Sequence, residues 1–122
     1  MRDDKDKIIR TGGNGRRCSC VAYGGILYVS GITSVELEAD VAEQAKDIFG
    51  QIEKLLALHG TNCQRLLSVT VYLKSVEDYG AFNSVWDTWV SDGYEPARSV
   101  VTAAMDLPEY KVKVAATAAL ES

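Results

Sequence analysis

A chain of 122 residues is long enough for one hydrophobic core and too short for two, so a single domain over residues 1–122 is expected. Hydrophobic residues make up 47% and charged residues 25%, with two prolines, a globular balance that argues against disorder. The net charge of −4, with basic residues scattered apart from Arg16-Arg17, argues against a nucleic-acid partner. No apolar run reaches the length of a membrane span, which excludes a membrane partner of that kind. The N-terminus, Met1-Arg2-Asp3-Asp4-Lys5-Asp6-Lys7, is charged and lacks the apolar core of a signal peptide. Three cysteines without framework spacing fit reduced thiols in a cytoplasm.

Ile8 to Thr11 is short, apolar and β-branched and reads as an edge strand, followed by a turn at Gly12-Gly13-Asn14-Gly15. Cys18 to Tyr23 and Ile26 to Ser30 read as a hairpin turning at Gly24-Gly25, with Gly31 ending the second strand. Val41, Ala45, Ile48, Phe49, Ile52, Leu55 and Leu56 form a helical stripe. Asp40 is its expected N-cap, with Glu43 three residues on, and His59-Gly60 closes it. Gln64 to Lys74 is β-branched and reads as a strand. A second helix, capped by Ser75 or Asp78, puts Tyr79, Phe82, Trp86, Trp89 and Val90 on one side and stops at Asp92-Gly93. Arg98 to Ala104 and Lys111 to Ala119 read as the last strands.

This order gives an α+β domain, a mixed β-sheet with two helices on one face. Alternation in the middle strand puts Leu67, Val69, Val71 and Leu73 on one face and Leu66, Ser68, Thr70 and Tyr72 on the other. In the last strand Val112, Val114, Ala116 and Ala118 alternate with Lys111, Lys113, Ala115, Thr117 and Ala119. Two helices cover only one side of such a sheet. The other side, carrying Leu66, Tyr72, Ala115 and Ala119, is suited to meeting another subunit.

Tyr94-Glu95-Pro96-Ala97-Arg98-Ser99 singles out one side chain. Pro96 stiffens the approach to Arg98, the one charged residue of its strand, and a guanidinium held there is a two-pronged donor for a carboxylate. The plainer reading is a surface arginine with its stem on apolar neighbours.

The element order and several local motifs together resemble the Rid (YjgF-type) reactive-intermediate deaminase family, also known as endoribonuclease L-PSP-like. The matching pieces run along nearly the whole chain. They are Gly25-Ile-Leu-Tyr-Val-Ser30-Gly31, Glu43-Gln44, Ile52-Glu-Lys-Leu-Leu-Ala57 leading to Gly60, Thr70-Val-Tyr-Leu73, Asp78 to Asn83, and Pro96-Ala-Arg98-Ser99. The resemblance implies a chorismate-mutase-like fold and a homotrimer with inward-facing sheets and a pocket in each cleft between subunits. It also implies hydrolysis of enamines or imines such as 2-aminoacrylate to a 2-oxo acid and ammonia, with no cofactor.

In that family the arginine matching Arg98 grips the substrate carboxylate, Ser30 and Gly31 match a strand-end pair beside the pocket, and Asn83 matches a pocket asparagine. Arg16-Arg17 stand where the deaminase pattern has a tyrosine, and Val100 where it has a cysteine or small residue. Lys113 occupies the position of the glutamate that places the attacking water. Asp106, Glu109 and Glu121 sit at turns or the terminus and do not replace it on the strand.

A charged lysine is no base; Lys113 would take that part, or form a Schiff base with a carbonyl ligand, only if deprotonated. Its plainer reading is a snorkelling residue beside Lys111. Arg17, Lys113 and Arg98 near one cleft would favour a dianionic or carboxylated ligand.

Cys18, Cys20, His59 and Cys63 match no zinc spacing, with His59 and Cys63 expected at the far end of the first helix, so no metal site is expected. Gly12 to Gly15 lacks the lysine of a P-loop and reads as a flexible turn. The expected function is a deaminase-like hydrolase of small carboxylated enamines or imines, with Arg98 and Lys113 as catalytic candidates. Arg98, Ser30, Gly31, Asn83 and Arg17 are the expected ligand-binding residues. The alternative is a non-catalytic trimer that binds a small carboxylate.

Overall fold

The computed structural model describes residues 6–121; residues 1–5, most of the charged segment read above for its lack of a signal-peptide core, lie outside them. The strands are β1 (Ile9–Thr11), β2 (Cys20–Tyr23), β3 (Ile26–Thr33), β4 (Leu66–Leu73), β5 (Ala97–Thr102) and β6 (Val112–Ala119). The helices are α1 (Val41–Leu58) and α2 (Tyr79–Trp89), each near a short 3₁₀ turn, Cys63–Arg65 after α1 and Val76–Asp78 before α2. All six strands form one sheet in the order β1-β2-β3-β6-β4-β5. Only β4 and β5 are parallel, and α2 supplies the crossover that a parallel pair needs.

Both helices pack on one face. Val41, Ala45, Ile48, Phe49, Ile52 and Leu56 of α1 are buried against the inward residues of β3, β4 and β6, of which Leu27, Val71, Val112 and Val114 are wholly buried. Asp40 caps α1 as expected, accepting from the Glu43 N–H at 2.9 Å. Between the helices, Phe49 stacks on Trp89 at 4.0 Å and meets Phe82 and Trp86 edge-on.

Two bulges correct the expected strand faces. In β3, Val29 pairs with Ala116 and Ile32 with Val114, so three steps on β3 match two on β6. The strand therefore runs through Gly31 to Thr33, and Ser30 and Gly31 together take the place opposite Ala115. In β4, Leu66 pairs with Ala118 and Ser68 with Thr117. The extra residue turns Leu66 into the core, at 7% exposed, and leaves Leu67 out at 45%. Leu66 therefore belongs to the helix-covered face and not to the open one. β2 also starts at Cys20, not Cys18, and β5 ends at Thr102, not Ala104.

The end of β3 is tied to α1 through one carboxylate. Asp47 Oδ2 accepts from Ser34 Oγ at 2.9 Å, the Val35 N–H at 3.0 Å and Gln51 Nε2 at 3.0 Å. Burial pushes the Asp47 carboxyl up, but these hydrogen bonds and nearby Lys54 outweigh it and hold it below the usual aspartate value. A lowered folded-state pKa adds stability above the unfolded value, about 3.9, and that stability is lost as the pH falls through the folded value. Urea unfolding of Asp47→Asn is expected to show lower stability at pH 7 and a shallower loss below about pH 4 than the parent. Parallel curves for the two proteins would show that Asp47 carries no such linkage.

Candidate functional site

Arg98 enters β5 two residues after Pro96 and pairs with Val69, a buried residue of the helix-covered face. Its guanidinium therefore turns towards α2. Nη1 donates to Asn83 Oδ1 at 2.8 Å, Nη2 donates to the Tyr79 hydroxyl at 3.4 Å, and the group lies 4.9 Å from the Trp86 ring centroid. Tyr79, Asn83 and Trp86 fall on one face of α2 at a spacing of four and three residues, so one helix orients the whole group. A guanidinium has five N–H donors, and those not directed at α2 remain for a ligand. Arg98, Tyr79, Val76, Val100, Leu73 and Thr102 line a cavity of about 400 Å³.

A second cavity, about 640 Å³, lies on the open face. Arg17, Gly31, Tyr72, Lys113, Asp106 and Tyr110 are among its walls. Lys113 pairs with Tyr72 on one side and Thr33 on the other, so it stands on the open face, with its stem over the bulge. A Cβ at Gly31 would come 2.8 Å from Lys113 Cδ, so a larger residue there would displace the lysine stem. Arg17 reaches the same region from the 12–19 turn, where Asn14 Oδ1 accepts from the Arg16 and Arg17 N–H groups, each at 2.9 Å. Its Nη1 donates to Ser30 Oγ at 3.3 Å.

The expected residues thus fall into two groups. Arg98 and Asn83 lie together on the helix-covered side, and Arg17, Ser30, Gly31 and Lys113 lie together on the open side. Val69 and Tyr72, the β4 partners of Arg98 and Lys113, are three residues apart with no bulge between them and so face opposite ways. The expectation of three cations in one cleft is therefore not met within a single protomer. Asp106 lies outside the strands, as expected. It is an exposed loop residue, yet it is among those that line the Lys113 cavity. Tyr79 and Trp86, expected in the core stripe of α2, also serve as partners of Arg98.

His59 caps the end of α1 as expected, but it does not lie apart from Cys20. The fold brings the end of α1 to the β1–β2 pair, and His59 Nε2 lies 3.2 Å from Thr11 Oγ1 and 3.4 Å from Cys20 Sγ. Cys63 faces elsewhere, 3.9 Å from Glu53 Oε2. Among the described residues no group of three or more side chains could hold a metal ion. Burial pushes the Cys20 thiol up, and burial with the Glu53 carboxylate pushes Cys63 up to about 11, so both favour the unreactive thiol.

No helix among the described residues is long and apolar enough to cross a membrane. The sequence profile of the family described as Endoribonuclease L-PSP matches residues 15–120. The RutC family protein YoaB of Escherichia coli is 34% identical over 113 residues, covering 93% of this chain and 98% of its own. A crystal structure of a Pseudomonas aeruginosa protein superposes with a TM-score of 0.92 at 30% identity, covering 94% of this chain and all of the other. A member of the YjgF protein family from Neisseria meningitidis superposes with a TM-score of 0.89 at 33% identity, covering 95% and 97%. The mixed six-stranded sheet, the two helices on one face and these matches together place the chain in the Rid/YjgF family, the family of the Endoribonuclease L-PSP profile.

Proposed function

We propose that this protein is a cytoplasmic homotrimer that binds small carboxylates in clefts between subunits and hydrolyses enamines or imines there. The observation that carries the reading is the Arg98 guanidinium, oriented by Asn83, Tyr79 and Trp86 beside a cavity. Arg98 holds the substrate carboxylate. Because Arg98 and Lys113 face opposite sides of the sheet, one ligand reaches both only where the β5 edge of one copy meets the open face of another.

The chemistry needs little more. 2-Aminoacrylate tautomerises to its imine, water adds to C2, and the C–N bond breaks to release ammonia and pyruvate. The polar groups available to orient that water are the Asp106 carboxylate, the Ser30 hydroxyl and Lys113. A lysine at the position of the family glutamate favours the second reading, a trimer that binds a carboxylate without turning it over. Generating 2-aminoacrylate in situ and following its decay separates the two. Decay faster than in buffer, and slowed again by Arg98→Ala, is the expected result. Decay at the buffer rate, with 2-oxobutyrate bound, would remove the hydrolase and leave the binding protein.

A further inference from the structure

Two cations and one acidic residue, Asp106, line the open-face cavity. Arg17 and Lys113 both line it, and among the described residues no carboxylate comes within 4 Å of either. Asp106, the acidic residue in the same lining, leaves the wall net positive. The Asn14 side chain fixes the backbone at Arg17, Ser30 accepts from its guanidinium, and the Lys113 stem crosses Gly31, where a larger residue would block it. A snorkelling lysine would need only open water. This one extends along a wall it shares with an arginine.

We infer that this cavity is a second anion subsite, selecting ligands that carry an additional carboxylate or phosphate beyond the one held by Arg98. The inference rests on the cleft proposed above, in which Arg98 of one copy and Lys113 of another face one ligand. Cations that form no ion pair, on the wall of one cavity, favour an incoming anion, and the preference weakens as salt screens it. The substrate class becomes the enamine or imine of an acidic 2-oxo acid, rather than of a short monocarboxylate.

Calorimetry with four ligands tests it. 2-Oxobutyrate carries one carboxylate, oxaloacetate and 2-oxoglutarate carry two, and phosphoenolpyruvate pairs a carboxylate with a phosphate. At low ionic strength at least one of the last three is expected to bind about tenfold tighter than 2-oxobutyrate, a gap that narrows with salt. Which of them gains distinguishes carboxylate from phosphate. In Lys113→Met, which keeps the stem over Gly31, that ratio is expected to fall towards one; Arg17→Gln, in a surface turn, is expected to reduce it as well. Equal affinities in the parent, or a ratio unchanged in both variants, would overturn the subsite. If 2-oxobutyrate binds through Arg98 without any preference for a second charge, the subsite alone falls. If none of the four binds, the carboxylate-binding cleft falls with it.

Discussion

Arg98→Ala is expected to weaken 2-oxobutyrate binding about a hundredfold or more, because it removes a charged, two-pronged donor from a partly desolvated cleft. Truncating one member of such a pair costs about 2–5 kcal/mol, and each 1.4 kcal/mol is about tenfold. Arg98→Lys is not expected to rescue it. An ammonium cannot meet Asn83 and Tyr79 at once and still present a flat fork, and it rests less favourably over Trp86. Asn83→Ala is the finer test. The guanidinium remains but loses its 2.8 Å partner, so about a tenfold loss is expected, with the charge still in place. Calorimetry on the three variants, each checked for fold by circular dichroism, gives the order. Full affinity in Arg98→Ala would move the carboxylate site elsewhere in the molecule.

The parts of this site differ in how far the sequence alone revealed them. The α1 stripe, its Asp40 cap and the alternation of β6 were legible because each is a local pattern of period 3.6 or 2. Pro96-Ala97-Arg98 was legible because a proline beside a lone charge constrains the backbone directly. Strand order was not. β6 inserts between β3 and β4, a pairing between segments far apart in the chain, and no local signal specifies it.

The bulges were hidden for a related reason. One extra residue in β3 or β4 changes no composition, yet it reverses which side chains face out, as Leu66 and Leu67 show. The split of the cations between two faces follows from register: Arg98 pairs with Val69 and Lys113 with Tyr72, and only both pairings together place them back to back. Tyr79, Asn83 and Trp86 did share a helical spacing, which marks them as one face of α2 but does not say what that face meets. Asp106 was set aside as a turn residue. Its place in the cavity depends on how the 103–111 segment is held, and that in turn depends on Gln44.

Gln44→Leu is expected to destabilise the protein by about 2–4 kcal/mol, the largest stability loss foreseen for a single polar side chain here. Gln44 is wholly buried in α1 and spends its amide on the backbone of other segments. Nε2 donates to Glu109 O at 2.9 Å and Ala39 O at 3.2 Å, and Oε1 accepts from the Lys111 N–H at 3.0 Å. Lys111 Nζ also donates to Ala39 O, so that carbonyl keeps a partner in the variant, whereas Glu109 O and the Lys111 N–H lose theirs. Each buried group left unpaired costs about 1–3 kcal/mol, and a leucine of similar volume supplies no replacement. Gln44→Glu keeps the acceptor for Lys111 but turns an oxygen towards Glu109 O, so it is expected to restore little.

The effect should extend to the open-face cavity. Among the described residues, the other side-chain hydrogen bonds that tie the 103–111 segment to the rest of the fold are Lys74 Nζ on Pro108 O, at 2.6 Å, and Lys111 Nζ on Ala39 O, at 3.1 Å. Faster amide exchange across 103–111 is therefore expected in Gln44→Leu, together with weaker binding of any ligand that uses the Lys113 cavity. Denaturant unfolding is compared at one protein concentration, since association would add to apparent stability. Unfolding midpoints that coincide, with unchanged exchange in the segment, would show that Gln44 does not hold the wall carrying Asp106 and Tyr110.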